Sequence, residues 1–335
     1  MAVPTTNVGL SSIQSVFGGV NPVALSEYYR GGLLVPTGTT DGGFGLIATS
    51  GTISVGTFRN TSAAPIPGVW TSAAAFAIVV VAPAAAGTTS AAIAFGGWGA
   101  AAASPTTRTF NGTAWTNSGN MGVSRGGLGG GGSSTSAVAC GGDTSTSAFG
   151  GSYSAVTQTS NGTTWTNATA QPTSRRSMGA CGTSTSDVIS SCGFTGVATG
   201  STATFNGTAW TTQTSSPISI NSPTAAGSSS VAILFGGLSS TATQSYNGSW
   251  TTLGATSVAR FGGAGGGTTT SAMYFGGSTL SSSESFNGTS WAVRASMSTV
   301  RFAPGGAAAG TTSALALAGE TSPGIRTGSA ETFAG

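Results

Sequence analysis

The sequence predicts an all-β protein: a β-propeller of six blades, or of seven, preceded by a short helical segment. Three elements that recur in fixed order carry this prediction. The first is a turn followed by a lone tryptophan: FNGTAW (Phe110 to Trp115), SNGTTW (Ser160 to Trp165), FNGTAW (Phe205 to Trp210), YNGSW (Tyr246 to Trp250) and FNGTSW (Phe286 to Trp291), with a decayed copy ending at Trp70. The second is a short apolar strand that runs into glycine: AAIAFGG, SAVACGG, DVISSCG, VAILFGG, SAMYFGG and SALALAG. The third is an arginine ten residues after tryptophan: Arg125, Arg175, Arg260 and Arg301, with Ile220 and Val80 in that place elsewhere. Successive tryptophans lie 45, 50, 45, 40 and 41 residues apart, the period of a four-stranded blade.

Each element has a physical reading. Asn-Gly tolerates positive φ at both central positions of a type I′ hairpin turn. Alternating and β-branched residues around it favour strands. The glycine pair lets the chain turn sharply where space is short. The tryptophan offers a large apolar surface to cover the edge of one sheet where it meets the next. The run AAAFAIVVVAPAAAG (Ala73 to Gly87) is too short to span a bilayer and contains Pro83, so it reads as a buried strand and its turn.

Six apolar strands predict six blades. The chain ends in SAETFAG, a copy of SSESFNG cut off before its tryptophan, and the missing part stands upstream as TFRN…Trp70. The N-terminal side of the propeller should therefore complete the blade begun by the C-terminus, leaving no open edge. A seventh blade would need Phe44 to Phe58 (FGLIATSGTISVGTF) to form most of one.

The ordered set of apolar strand, glycine pair, aromatic, tryptophan and arginine resembles the kelch family of β-propellers. The resemblance runs from Trp70 to Gly335, nearly four-fifths of the chain. Two departures stand out. Asn-Gly replaces the usual acidic or polar residue after the aromatic, and the glycine doublet is lost at Cys192-Gly193 and Ala318-Gly319.

Residues 1–40 do not repeat and divide from a propeller over 41–335. SSIQSVFGG (Ser11 to Gly19) and NPVALSEYYRGG (Asn21 to Gly32) each read as a short helix, the second capped by Asn21 with Pro22 in its first turn. The ordered residues Ile13, Gln14, Phe17, Gly18, Gly19, Asn21, Pro22, Leu25, Ser26, Glu27, Tyr28 and Tyr29 resemble an N-terminal segment of tailed-phage virion proteins. That resemblance implies docking onto a particle through Ile13, Phe17, Pro22, Leu25, Tyr28 and Tyr29, with other virion proteins (tail, neck or capsid) as partners. It also implies localisation in the virion and a homo-oligomer, as a trimer or ring. The alternative is that both helices cap the propeller.

Composition narrows the chemistry. Charged residues make up 5% of the chain, His is absent, and all ten basic residues are arginine, against about 25% charge in an ordinary domain. The scattered arginines form no footprint for nucleic acid, and no segment suits membrane insertion. With neither His nor Lys, general acid–base catalysis has little to work with. Cys140, Cys181 and Cys192 have no metal-type spacing and read as buried thiols. Glu284 and Glu331 occupy equivalent places in the repeat and read as partners of the repeated arginines. The Asn-Gly-Thr/Ser sequons read as turns.

The expectation is a non-enzymatic protein without cofactor or metal: a virion appendage such as a tail or neck fibre whose propeller faces outward, for adhesion to the host. The alternatives are a carbohydrate- or receptor-binding propeller and a capsid decoration protein. The candidates for facing a glycan or other ligand are Trp98, which departs from the repeat and on the simpler reading packs or plugs the ring, and Arg125, Arg175, Arg260 and Arg301. Those arginines either tie loop carbonyls within a blade, the simpler reading, or line the central channel as an anion-binding ring.

Overall fold

The computed structural model describes residues 68–335. They form six four-stranded antiparallel sheets and one two-stranded hairpin, with no helix among the described residues. β1 (Val69–Ala73) comes first among the described residues and belongs to the last blade. Blade 1 is β2 (Ala84–Gly87), β3 (Ala92–Phe95), β4 (Thr107–Phe110) and β5 (Trp115–Asn117); blade 2 is β6 (Gly129–Ser133), β7 (Ser136–Cys140), β8 (Thr157–Ser160) and β9 (Trp165–Ala168). Blade 3 is β10 (Gly179–Ser184), β11 (Asp187–Ser191), β12 (Thr202–Phe205) and β13 (Trp210–Gln213); blade 4 is β14 (Thr224–Gly227), β15 (Ala232–Phe235), β16 (Thr243–Tyr246) and β17 (Trp250–Leu253). Blade 5 is β18 (Ala264–Thr268), β19 (Ser271–Phe275), β20 (Ser283–Phe286) and β21 (Trp291–Arg294). Blade 6 begins with β22 (Gly305–Gly310) and β23 (Ser313–Leu317), carries the hairpin β24 (Glu320–Ser322) and β25 (Ile325–Arg326), returns as β26 (Ala330–Ala334), and ends with β1.

The result is a six-bladed β-propeller. β1 pairs antiparallel with β26, with Trp70 opposite Phe333, so the ring closes by the seam that the cut-off repeat predicts. The stretch that would build a seventh blade, Phe44 to Phe58, lies outside the described residues. So do both expected helices, the expected boundary at residue 40, and the docking candidates Ile13, Phe17, Pro22, Leu25, Tyr28 and Tyr29.

The second strand of every blade is one of the six apolar runs and forms the buried middle of its sheet. The first strands surround the axis and read AAAG, GGGGS, GACGTS, TAAG, AGGGT and GGAAAG. Six backbones converge there and little beyond a methyl group fits. A Cβ on Gly129 would come within 2.8 Å of the Ala180 methyl, and one on Gly130 within 3.0 Å of the Ala84 methyl. The strand expected within Ala73 to Gly87 is shorter than that run. Only Ala84–Gly87 is β2, whereas Phe76, Val80 and Val81 lie buried in an irregular connection that Pro83 ends.

Each repeated tryptophan sits in an outermost strand against the preceding blade. The indole N–H groups of Trp165, Trp210 and Trp291 donate to the hydroxyls of Thr107, Thr157 and Thr243 at 2.8–2.9 Å, and that of Trp70 donates to Ser283 at 3.3 Å. Before Trp115 the matching residue is Ala330, without a hydroxyl, and the indole donates to the Ala74 carbonyl instead. Before Trp250 the matching Thr202 hydroxyl is occupied by Ser191 and Gly200, and the indole turns to the Thr214 carbonyl.

The Asn-Gly turn is not type I′. Gly112 has φ +93°, but Asn111 is not among the residues with positive φ. Phe110 pairs with Trp115, leaving a four-residue loop. The Asn111 Oδ1 accepts from the N–H groups of Thr113 and Ala114 at 3.0 and 2.8 Å. Asparagine is used as an acceptor that closes the loop locally, rather than for its tolerance of positive φ.

The glycine pair and the arginine belong to one device. The second glycine donates its N–H to the backbone carbonyl at the arginine position of the next blade: Gly97 to Arg125, Gly142 to Arg175, Gly193 to Ile220, Gly277 to Arg301 and Gly319 to Val80, at 2.7–2.9 Å. Between blades 4 and 5 the Tyr274 hydroxyl takes over, donating to the Arg260 carbonyl at 3.0 Å. Where the first glycine is replaced, the backbone keeps its left-handed turn, with φ +58° at Cys192 and +56° at Ala318.

Candidate functional site

Antiparallel order sends the connections of each blade to two sides. Hairpins joining first to second and third to fourth strands leave on one side, the hairpin side. Loops joining second to third strands, and the inter-blade connections, leave on the other. Here lies the mouth of the central channel, and here the sequence varies most.

A backbone collar surrounds the mouth. Six equivalent residues (Ala82, Gly127, Ser177, Ser222, Gly262 and Ala303) have φ between +47° and +65°. Each stands at the entry to a first strand. The N–H of Ala82 donates to the Ala303 carbonyl, Gly127 to Ala82, Ser177 to Gly127, Ser222 to Ser177 and Ala303 to Gly262, at 2.7–3.0 Å. The link from Gly262 to Ser222 is not made among the described residues. The gap falls at the junction where Tyr274 replaces a glycine N–H. An L-residue in this region is held there at a cost, and the ring of hydrogen bonds is what holds it.

Phe149 covers the collar. It rides on the long loop of blade 2, with φ +62° before Gly150 and Gly151. Its ring stands 4.6 Å from Trp98, 6.2 Å from Phe261 and 6.3 Å from Phe302. The loop is fastened by Asp143, fully buried, whose carboxylate accepts from the N–H groups of Ser145, Gly151 and Ser152 at 2.8–3.2 Å, and from the Ser145 hydroxyl. The Arg176 guanidinium packs against Phe149 and Phe194, 4.9 and 4.7 Å from the ring centroids, with its Nε 3.7 Å from Asp143. Burial pushes the Arg176 guanidinium below its ordinary range, against the pull of Tyr153 and Asp143. Beneath the aromatics lies an axial cavity of about 90 Å³, lined by the collar and by Pro83, Pro223 and Pro304.

The residues expected to face a ligand are placed away from solvent. Trp98 is fully buried, with Gly126 and Gly127 against its ring. Arg125, Arg175, Arg260 and Arg301 are 0–1% exposed. Arg125 donates to the carbonyls of Gly141 and Val156 at 2.7 and 2.5 Å and to Gln158 at 3.0 Å. Arg175 donates to the carbonyls of Ser201 and Ser190 and to the Ser190 hydroxyl. Arg260 donates to the Ser282 carbonyl and pairs with Glu284 at 2.9 Å; Arg301 donates to the carbonyls of Ala318 and Ser329 and pairs with Glu331 at 3.1 Å. Of the two readings of these arginines, the geometry is that of the carbonyl tie, and the side chains point into the blades rather than into the channel. Burial lowers Arg125 to about 10. It also lowers Arg175, and lowers Arg301 against the pull of Glu331.

The cysteines are free and buried, and burial raises all three thiols. Among the described residues no cluster of three or more Cys, Asp and Glu side chains has the geometry to hold a metal.

The mouth residues Phe149, Arg176, Phe261 and Phe302 are not among the ligand-facing candidates that the sequence offers. For the last three a signal exists. They stand immediately after the repeated arginine, where the six blades carry Val81, Gly126, Arg176, Asn221, Phe261 and Phe302. Phe149 lies in an insertion and has no counterpart to compare. No family model matches the chain, and no curated protein is significantly similar to it.

Proposed function

We propose that the chain is a non-enzymatic structural protein of a phage virion, a kelch-like propeller carried as a tail or neck appendage. The N-terminal forty residues dock it to other virion proteins, and the propeller faces outward to adhere to the host surface. One observation supports the head's role as scaffold: its repeated charged groups are consumed inside the blades. Arg125, Arg175, Arg260 and Arg301 tie carbonyls, and Glu284 and Glu331 neutralise two of them. The particle assignment rests on the likeness of residues 13–29 to virion segments. Immunogold labelling of purified particles tests it: labelled particles support the reading, and bare particles beside labelled host cytosol overturn it.

A second reading, a carbohydrate-binding head, is favoured by clefts walled with Ser, Thr and Asn on the hairpin side. It is compatible with the first.

A further inference from the structure

We infer that the cleft between blades 1 and 2 on the hairpin side binds a neutral saccharide unit, an inference that rests on the adhesion reading above. The cleft has a volume of about 330 Å³, at the lower end of small-ligand sites. The axial spaces, at about 80–110 Å³ each, are too small for a sugar ring. Ser90, Thr109 and Asn111 wall it from blade 1, and Ser134, Thr135 and Asn161 from blade 2, above the buried Phe110.

The donor pattern suits a polyol. The Oδ1 atoms of Asn111 and Asn161 are engaged by their own turns, which fixes each amide so that its NH2 is the free end. Neither NH2 has a partner among the described residues. The hydroxyls of Ser134 and Thr135 likewise make no hydrogen bond there. Two amide donors and two hydroxyls that both donate and accept thus line the cleft without protein partners. No ionisable side chain lines the cleft, so nothing compensates the desolvation of an acidic sugar's carboxylate. The class selected is therefore neutral. A second cleft of about 210 Å³ adjoins it, sharing Thr135 and Asn161 and reaching Thr185 of blade 3.

The test is binding of the full chain to an array of neutral and acidic glycans, with saturation-transfer NMR against glucose, galactose and mannose. Thr135 is exposed, so Thr135→Arg fills the cleft without disturbing the core. Neutral-glycan binding should fall at least about tenfold in Thr135→Arg. It should survive both Phe149→Ala, which alters only the mouth, and about 0.5 M salt. Loss in Phe149→Ala with retention in Thr135→Arg would overturn the cleft while leaving adhesion intact. Retention of acidic glycans alone, abolished by salt, would overturn the neutral class. Binding to no glycan at all would remove the adhesion reading itself.

Discussion

Blades 2 and 3 and blades 5 and 6 bury the same arginine in the same place, yet only the latter pair supplies a carboxylate. In blade 5 the partner is Glu284, in blade 6 Glu331. In blade 2 the equivalent residue is Gln158, and in blade 3 it is Ala203, where Ser190 from the adjacent strand stands in. The carbonyl ties are common to all four. What these four blades share is therefore a planar fork of donors for the carbonyls beside the glycine turn. Charge neutralisation is an addition. Blades 1 and 4 do without the fork altogether, since Val80 and Ile220 fill the arginine's place with buried apolar side chains.

The largest test of the comparison is Glu284→Ala. It strands a buried guanidinium and should lower stability by about 3–5 kcal/mol. Gln158→Ala in blade 2 removes only a neutral partner and should cost about 1–3 kcal/mol. Chemical denaturation of both variants decides, and equal losses would show that the carboxylate is no different from the amide. Next in size is the glycine turn. Gly141→Ala would place a Cβ 2.6 Å from the Arg175 carbonyl at φ +60°, and should cost more than about 1 kcal/mol. Ala318→Gly relieves the same backbone strain but loses a fully buried methyl, so it should shift stability by less than about 1 kcal/mol. A thermal melt in which it costs as much as Gly141→Ala would contradict a shared backbone requirement.

Smaller still is Gln158→Glu, which gives blade 2 the pattern of blade 5. It should change stability by less than about 1.5 kcal/mol, since a buried pair is near neutral overall, and should raise the Arg125 pKa. The pH dependence refines the same contrast. Burial raises the Glu331 carboxyl, but hydrogen bonds from Ser298 and the Arg301 guanidinium outweigh it, and the net shift is downward. A carboxyl lowered in the folded state adds stability above its unfolded value, about 4.3, and loses it as pH falls through the folded value. Stability measured from pH 5 downward should therefore fall less steeply in Glu331→Gln than in the native chain. Parallel curves would count against the ion pair's contribution.

What the sequence reveals depends on which force shapes each element. The second strands are legible because burial demands apolar residues. The seam is legible because Glu331-Thr332-Phe333 repeats Glu284-Ser285-Phe286. The pairing of Glu284 and Glu331 with arginine follows from their shared place in the repeat. The first strands escape notice because they are selected for small size, and GGLGGGG (Gly126 to Gly132) carries no hydrophobic period. The collar is equally silent. Nothing in the letters Ala82, Ser222 or Ala303 announces a left-handed backbone, since closure of the ring imposes it. Phe149 reaches its place through an insertion, which a repeat cannot predict. The role of Asn111 is misread by turn chemistry alone, because a four-residue loop uses its side chain where a two-residue loop would use its φ.

The seam has a mechanical consequence. A load applied at Gly68 enters the ring through β1, a strand joined by five residue pairs. Val69 opposite Ala334 is strained first, then Trp70 opposite Phe333. Val69 is exposed and offers little resistance. Trp70, wedged 5.1 Å from Phe275 and 5.4 Å from Phe333, bears the tug. The propeller is in this sense a bracelet fastened by one strand, and the indole of Trp70 is the pin of its clasp.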